Sequence, residues 1–476
     1  MNERFDTDVQ KLKYKVLKEV AKSAFNDSLL EDYNTIPSKI VPGPKPTKRC
    51  CIYKERAIVL ERMKLALGGD KANPNVVEVM EIACDDCPIG GYEVGSRCRG
   101  CIAHRCLKAC HRNAISFDPN THQAVIDKTK CVNCGMCAKA CPYFAIQNYQ
   151  RPCELACKVK AISRGENDAA QIDNEKCVQC GACVYQCPFG AIMDKSSIVD
   201  VIKTLKDSDF SKKYPVYAIV APSISSQFKM ASLGQIVTAI HNLGFHHVIE
   251  AALGADMVAY KEAQELAEKG VLTSSCCPTF VAFIEKNFPT LKDKISTNLS
   301  PMATISKWIK KNEPNSKIIF IGPCISKKAE IQKAAVRNYV DYVLTFEELN
   351  ALIDAREIDA STLPETPLDN ASYFGRIFAR SGGLKDAVSQ ALKEQNSDFE
   401  LKAATADGLD NCRLMLLKLK AGTQDFNFLE GMGCVGGCIG GPCCLTHEIR
   451  DKADVDKYGR ETKETTITGA IKNYMD

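Results

Sequence analysis

The spacing of cysteine constrains this chain more than any other feature. Eighteen of its 26 cysteines lie between residues 50 and 187, and none lies between 188 and 275. Two runs have the form C-x2-C-x2-C-x3-C-P: Cys131, Cys134, Cys137 and Cys141, then Cys177, Cys180, Cys183 and Cys187. In such a run three thiolates bind one 4Fe-4S cubane, and the fourth reaches a neighbouring cluster. Zinc sites use pairs of cysteines more often, so the runs predict iron–sulfur clusters.

The runs belong to an internal repeat. Four units end alike: CLKACHRNAI from residue 106, CAKACPYFAI from 137, CELACKVKAI from 153 and CVYQCPFGAI from 183. The spacing of the complete runs is that of bacterial ferredoxins, so we expect a ferredoxin-like region. A third run has a longer gap and His111 in place of the proline, and it can pair with the run at Cys131. Its cysteines are Cys98, Cys101, Cys106 and Cys110.

A fourth set is incomplete in the sequence. Cys153 and Cys157 supply two thiolates, and Cys84 and Cys87 upstream can complete them. The alternative for Cys84 and Cys87 is a small zinc knuckle or free thiols. The sequence therefore predicts two to four accessory 4Fe-4S clusters, with four favoured, and assigns no role to Cys50 and Cys51.

Composition narrows the class of protein. Cysteines in the reducing cytosol indicate metal or catalysis rather than disulfides. Residues 1–25 mix charge throughout and lack the apolar core of a secretory signal, and the longest apolar runs are far shorter than a membrane span. A formal net charge of +4 gives no reason to expect nucleic acid or a membrane as partner. We expect a cytoplasmic protein.

We expect three regions. Residues 1–80 have helical spacing of apolar residues, interrupted at 34–49 by four prolines that predict an extended linker. Residues 81–196 hold the ferredoxin-like clusters. In residues 197–476, apolar runs such as VYAIVAPS and KIIFIGPC alternate with amphipathic stretches, which predicts α/β layers with partly parallel sheets.

Three cysteine motifs follow expected strands of this last region, where ligands gather in α/β folds. They are SSCCPTF from residue 274, GPCISKKAE from 322 and EGMGCVGGCIGGP from 430. In this order, downstream of ferredoxin runs, they resemble the three signatures of the iron-iron (FeFe) hydrogenases, and the glycines of the last motif resemble the group B branch. The resemblance implies an α+β and α/β protein, with a ferredoxin-like multi-cluster region followed by an FeFe-hydrogenase-type H-cluster catalytic domain.

The resemblance also implies a cofactor. The H-cluster joins a 4Fe-4S cubane, through one shared cysteine, to a diiron unit that carries CO, cyanide and an azadithiolate. Matching the motifs implies that four residues hold the cubane, with Cys438 as the shared ligand: Cys277, Cys324, Cys434 and Cys438. Cys276 is then not a ligand but passes a proton to the amine of the dithiolate. A thiol suits this task because its pKa can be tuned.

Further roles follow from the same match. Lys327 is expected to donate to a cyanide. Glu262 and Glu265 lie at i and i+3 of a helix, and Ser296 is the relay serine. The implied proton path runs from Cys276 through Glu262, Ser296 and Glu265 to solvent. Without the resemblance, such a glutamate pair is more often a solvated helix face.

Other matched residues surround the diiron unit. Ala221, Pro222 and Ser223 are expected to approach a cyanide. Met432 and Phe378 are expected to line the cavity, with plain core packing as the alternative.

The sequence departs from the best-known members at several points. Gly322 and Met302 replace the usual methionine and glutamine, and the third motif ends GGPCC. Cys443 and Cys444 are additional thiols for which cluster ligation or inert packing is open, and Cys412 has no assigned role. Catalytic bias and oxygen tolerance therefore cannot be transferred to this chain.

The resulting expectation is a ferredoxin hydrogenase that interconverts dihydrogen with protons and electrons. Its expected partners are a soluble ferredoxin and the maturation proteins that insert the diiron unit. The alternatives are a hydrogen sensor, a Nar-like iron–sulfur assembly protein without a catalytic diiron unit, and a subunit of a bifurcating complex. Cys276 and Lys327 argue against the assembly protein, because neither is needed to hold a cubane alone.

Overall fold

The N-terminal region is helical. A computed structural model describes residues 5–88 and 90–474, and no helix among them is long and apolar enough to cross a bilayer. The first four helices are α1 (Asp8–Phe25), α2 (Leu29–Asp32), α3 (Ile36–Ile40) and α4 (Ile52–Ala66). Thr7 caps α1 by accepting the Gln10 N–H. The prediction of an extended linker was wrong at α3, because Pro37 lies in the first turn of this helix, where its missing N–H costs nothing.

The cluster region consists of short hairpins and one-turn helices that repeat. Its strands pair antiparallel as β1 with β8, β2 with β5, β3 with β4 and β6 with β7. In chain order the elements are β1 (Val77–Val79), β2 (Gly91–Val94), α5 (Arg105–Lys108), β3 (Ile115–Phe117), β4 (Ala124–Ile126), α6 (Met136–Ala140), β5 (Ile146–Tyr149), α7 (Pro152–Ala156), β6 (Ile162–Arg164), β7 (Ala170–Ile172), α8 (Ala182–Gln186) and β8 (Ile192–Asp194).

The C-terminal region alternates strands with helices, joined in places by 3-10 turns. Its elements are α9 (Ile198–Asp207), β9 (Val216–Val220), α10 (Leu233–Asn242), β10 (His247–Glu250), α11 (Ala251–Lys269), β11 (Leu272–Thr273), α12 (Pro278–Asn287), α13 (Pro301–Asn312), β12 (Lys317–Gly322), α14 (Ser326–Glu330), β13 (Tyr342–Thr345), α15 (Phe346–Ala355), α16 (Tyr373–Arg376), α17 (Gly383–Glu394), β14 (Ala403–Asp407), α18 (Leu409–Ala421), β15 (Phe428–Met432), α19 (Asp451–Arg460) and α20 (Ile467–Ile471).

Two parallel sheets organise this region. One has the strand order β10-β9-β12-β13 and the other β11-β15-β14. All five residues of β9 and of β15 are buried, as expected for strands that are covered on both faces. The expected fold class, α+β and α/β with a parallel-sheet C-terminal region, is confirmed.

The sheets bring the three cysteine motifs to adjacent strand ends. The cysteines of the first motif follow β11, that of the second follows β12 and those of the third follow β15. Two hydrogen bonds join the first motif to the third: the Gly431 N–H donates to Ser274 Oγ at 3.1 Å and the Gly433 N–H to Cys277 Sγ at 3.3 Å. The Cys443 N–H donates to the Pro323 carbonyl at 3.1 Å and so joins the third motif to the second.

Candidate metal centre

Four thiols from the three motifs converge. Cys277 is the N-cap of α12, and Cys324 lies in the turn before α14. Burial, and then the neighbouring sulfurs of Cys277 and Cys438, raise the pKa of Cys324 to about 12. Burial, and then Cys324, Cys277 and Cys438, raise the pKa of Cys434 well above its usual range. The four residues that sequence matching selects as cubane ligands therefore share one partly buried site.

The chemistry of this site fits an iron–sulfur cofactor. With their raised pKa values Cys324, Cys434 and Cys438 stay neutral on their own, whereas bound iron would stabilise their thiolates. A polar atom also lacks a protein partner nearby: Ser223 Oγ is buried without a hydrogen bond, in a 3-10 turn (Pro222–Ser226) that contacts the turn Cys438–Gly440. A buried hydroxyl without a partner costs free energy, which a polar ligand in the site would offset.

Cys276 lies beside the four thiols. Its side chain is buried, and burial raises the pKa of the thiol well above its usual range. The negative charges of Glu262 and Cys277 raise this pKa further. Cys276 thus carries a proton at neutral pH, and Glu262 is close enough for its charge to act on the thiol.

Lys327 is held by an acid that the sequence did not indicate. Its Nζ donates to Glu330 Oε2 at 2.6 Å and to the Cys276 carbonyl at 3.4 Å. Burial lowers the pKa of Lys327, but Glu330 and Cys324 outweigh burial, and the net pKa lies above the usual value. The amine is therefore a fixed positive charge on α14. A Lys–Glu pair three residues apart usually marks a solvated face, so this buried pair was missed.

Hydrogen bonds are present along part of the expected proton path, and they add one residue to it. Glu262 Oε1 accepts from the N–H of Ser275 at 3.2 Å and from its hydroxyl at 3.3 Å. Ser296 Oγ donates to Glu265 Oε2 at 2.8 Å. Ser296 is also close enough to Glu262 to lower the pKa of Glu262, against the effect of burial. Ser275, which sequence matching did not select, links the first motif directly to Glu262.

The two glutamates differ in acidity. Burial raises the pKa of Glu262 to about 7, and its Oε2 makes no hydrogen bond. Burial also acts on Glu265, but donors from Lys269 and Thr297 prevail and lower its pKa. Lys269 is partly exposed and bonds Glu265 at 2.6 Å, so Glu265 lies at the solvent end of the chain.

Of the remaining residues expected near the diiron unit, Pro222 is partly buried and the others are buried. Ala221, Met432 and Phe378 are each less than 7% exposed, and all belong to the main hydrophobic core. Burial is compatible with a cavity wall and with core packing. The choice made from the sequence for Met432 and Phe378 therefore stays a prediction.

Gly433 of the third motif has a steric role. A Cβ at this position would lie 2.6 Å from Thr279 Cγ2 on α12, closer than side chains tolerate. The glycine lets the third motif approach Cys277 closely enough for the hydrogen bond to its sulfur.

Cys443 lies in an ion-pair cluster rather than among the four thiols. Lys13 Nζ of α1 contacts Asp194, Glu347 and the Cys443 sulfur, the last at 3.9 Å. The three acidic groups are close enough to share a metal ion, but the lysine amine already occupies their centre. This position favours packing over cluster ligation for Cys443.

In the cluster region, the cysteines of different runs group together. Burial, and then the charges of four neighbours, raise the pKa of Cys153 to about 12. These neighbours are Cys187, Glu154, Cys84 and Cys87. The neighbours of Cys183 include Cys157 as well as Cys177 and Cys180. The set that ends at Cys157 and the run that ends at Cys187 thus exchange their last cysteines. One group consists of Cys84, Cys87, Cys153 and Cys187. The other consists of Cys157, Cys177, Cys180 and Cys183.

The run that ends at Cys110 and the run that ends at Cys141 exchange their last cysteines in the same way. Cys106 has Cys141 and Cys101 as charged neighbours, and Cys137 has Cys131 and Cys110. Backbone N–H groups donate to the sulfurs of three fourth-position cysteines, from Ala114 to Cys110, Ala161 to Cys157 and Ala191 to Cys187, at 3.1–3.3 Å. The repeated A-I ending seen in the sequence supplies these donors.

One accessory group adjoins the candidate centre. Cys180 is among the charged neighbours of Cys434. Lys286 of α12 donates to the carbonyls of Asn174 and Cys177 at 3.1 and 2.8 Å, which holds the two regions together.

Comparison with known proteins agrees with this arrangement. Residues 214–442 match the C-terminal domain of the iron-only hydrogenase large subunit. This segment, just under half of the chain, has the sequence pattern of that hydrogenase domain. Residues 97–145 match a 4Fe-4S dicluster domain and residues 170–193 a 4Fe-4S binding domain. The family expected from the motifs is thereby confirmed, together with its 4Fe-4S domains.

Relatives include hydrogenases and assembly factors. The chain is 27% identical over 402 residues to iron hydrogenase 1 of Clostridium pasteurianum, covering 71% of this chain and 68% of that protein. It is 29% identical to the periplasmic [Fe] hydrogenase large subunit of Nitratidesulfovibrio vulgaris, covering 68% and 87%. It is 26% identical to the cytosolic Fe-S cluster assembly factor NAR1 of Botryotinia fuckeliana, covering 40% and 48%.

Proposed function

We propose that this protein is a cytoplasmic FeFe hydrogenase of the group B type, which interconverts dihydrogen with two protons and two electrons. The observation that carries the proposal is the convergence of five sulfurs: four suited to hold a cubane, and Cys276 beside them with its proton. When bound, the H-cluster supplies the site where dihydrogen is split or formed. The diiron unit would be inserted by dedicated maturation proteins.

The side chains of the protein hold protons and transfer them between the site and solvent. Cys276 holds a proton at neutral pH, and Glu262, with a pKa of about 7, can accept or release one without a large change in free energy. The Ser296 hydroxyl lies between the two glutamates and passes the proton by rotating from one to the other. Glu265, beside the partly exposed Lys269, exchanges it with solvent.

The proposed ligands and anchors are fixed by the fold. Cys277, Cys324 and Cys434 would hold the cubane with Cys438, which would also bind the diiron unit. Lys327, held by Glu330, would place a positive charge toward a cyanide, and Ser223 has a free hydroxyl for a second one. Ala221, Pro222, Met432 and Phe378 would exclude water.

Electrons would leave through the accessory clusters. The Cys180 group adjoins Cys434, and the crossed grouping of cysteines provides thiolates for four 4Fe-4S clusters. The proposed acceptor is a soluble ferredoxin.

The test is an assay of the fully matured protein for reduction of methyl viologen under dihydrogen, with protein that carries only 4Fe-4S clusters as control. We expect turnover from the matured protein alone. Absence of turnover in protein that demonstrably carries the diiron unit would contradict the proposal.

A Nar-like assembly function is the second candidate, favoured by the match to NAR1. It requires the four cubane cysteines but not a protonated Cys276 or the Lys327–Glu330 pair. Protein purified from cells that contain the maturation proteins would then hold no diiron unit.

A further inference from the structure

The cluster region contains two closely similar halves. CVNCGMCAKACPYFAI (131–146) and CVQCGACVYQCPFGAI (177–192) match residue for residue in their cysteines, and each carries a one-turn helix, α6 or α8, after a left-handed glycine. Gly135 and Gly181 have φ values of 77° and 79°. Two segments with the same local fold can be compared position by position.

The same face of the two halves has different surroundings. Val178 is 3% exposed because it packs with Phe280 and Phe283 of the C-terminal region, while its counterpart Val132 is 57% exposed. Cys180 lies beside Cys434 of the candidate centre, whereas its counterpart Cys134 is exposed. In the second half this face contacts the neighbouring redox centre. In the first half Tyr92 of β2 lies against Gly135, but the side chains of Val132, Cys134 and Met136 stay exposed.

The uncovered face is apolar. Beside Cys134 the apolar side chains Val132 and Met136 are 57% and 41% exposed. Neighbouring exposed apolar side chains of this size mark binding surfaces on proteins. We call Val132, Cys134 and Met136 the Cys134 face.

The segment that carries this face has an excess of positive charge. Residues 97–145 contain eight basic and two acidic residues, a net charge of +6, whereas residues 146–196 contain six of each and are neutral. All eight basic side chains are exposed. Only Lys128 and Lys130 form ion pairs within the described part of the chain, with Glu93 and Asp127. The positive charge that has no ion-pair partner among the described residues is therefore concentrated in residues 97–145, the segment that carries the Cys134 face.

We propose that the Cys134 face is the docking surface for a small acidic electron-carrier protein. The inference rests on the proposed function and assigns its electron partner to a place on the molecule. Opposite charge would steer the carrier to this half, and the apolar side chains would form the dry centre of the contact, as Val178 does in the second half. Cys134 would hold the cluster from which electrons leave, and the two electrons of one dihydrogen would reduce two 4Fe-4S clusters of the carrier.

The repeat supplies a matched control for the test. Lys130 and Lys176 are counterparts, their side chains are 62% and 63% exposed, and each pairs with an aspartate three residues earlier. Charge reversal at either position changes the total charge equally. Only Lys130 belongs to the basic half.

Binding of a purified acidic two-cluster ferredoxin to the cluster-loaded full chain is measured by calorimetry at low salt. We expect Lys130→Glu with Lys139→Glu to weaken binding about tenfold or more, and Lys130→Glu alone to weaken it by less. The affinity of Lys176→Glu for the ferredoxin should lie within about twofold of that of the unaltered protein. Added salt should strongly weaken ferredoxin binding by every protein except the double variant. Equal binding by the double variant and the unaltered protein would overturn the inference.

Turnover separates this inference from the proposed function. In matured protein the double variant should lose ferredoxin reduction but keep methyl viologen reduction, because a small mediator needs no docking surface. Equal loss with both acceptors would overturn the docking surface. Absence of turnover in the unaltered protein would contradict the hydrogenase proposal alone, since the binding measurement does not depend on it.

Discussion

Lys327 and Cys276 meet across two motifs: the Lys327 amine donates to the Cys276 carbonyl oxygen at 3.4 Å while Glu330 holds it at 2.6 Å. The proposed cyanide anchor and the proposed proton relay are thus fixed to each other by the backbone of the first motif. This contact makes the position of each residue depend on the other.

Removing the charge of Lys327 should destabilise the fold. Lys327→Met leaves Glu330 buried without a partner, which we expect to cost about 3–5 kcal/mol of unfolding free energy. Chemical unfolding of the cluster-loaded protein measures this. The control Lys333→Met removes a half-exposed pair with Glu285 and should cost less than about 1 kcal/mol. Equal costs for the two variants would show that the Lys327–Glu330 pair is not buried.

Cys276→Ala should separate catalysis from cofactor binding. We expect turnover to fall about 10²–10⁴-fold because the relay thiol is lost, while the iron content stays the same. Cys412 is an equally buried thiol that donates to the Ala406 and Met432 carbonyls and has no place in the proposed path. Cys412→Ala should therefore retain most of the activity. Full activity in Cys276→Ala would remove Cys276 from the path.

The two glutamates should give opposite pH dependences of stability. Glu262 has a pKa of about 7 in the folded chain against 4.5 when unperturbed, so the folded state holds its proton to higher pH. Its contribution is full below about 4.5 and is lost, by about 3 kcal/mol, as pH rises through 7. The pKa of Glu265 is lowered, so its contribution is present above about 4.5 and is lost as pH falls.

Unfolding between about pH 5.5 and 8 compares the two variants with the unaltered protein. Glu262→Gln should flatten the fall in stability toward high pH, and Glu265→Gln should leave that fall in place. Identical pH dependences in the unaltered protein and Glu262→Gln would contradict the raised pKa.

The grouping of cysteines from different runs predicts in which double variants the losses of iron add up. Cys84→Ala and Cys187→Ala remove ligands of one group, so the double variant should lose no more iron than the single variants. Cys180→Ala with Cys187→Ala removes ligands from two groups and should lose about twice as much. Iron analysis and electron paramagnetic resonance measure both. Additive loss from the first pair would show that Cys187 binds the cluster of its own run.

Much of this arrangement could be predicted from sequence because cluster ligands are constrained by local spacing. The C-x2-C-x2-C runs and the strand-end motifs identify the sulfurs, and the alternation of apolar runs identifies the parallel sheets. Groups that depend on tertiary burial could not be predicted. Glu330 and Ser275 have no motif, and Lys13 meets Cys443 from the other end of the chain. Helix α3 formed in a proline-rich stretch because Pro37 falls at its tolerant first turn.

The central claim is that Cys277, Cys324, Cys434 and Cys438 hold one cubane joined to a diiron unit. Infrared spectroscopy of protein matured with the diiron cofactor tests it most directly, because bound CO and cyanide absorb where proteins do not. We predict sharp CO and cyanide bands in the unaltered protein and their loss in Cys438→Ala. A spectrum without these bands in unaltered protein that contains its full 4Fe-4S complement would contradict the claim.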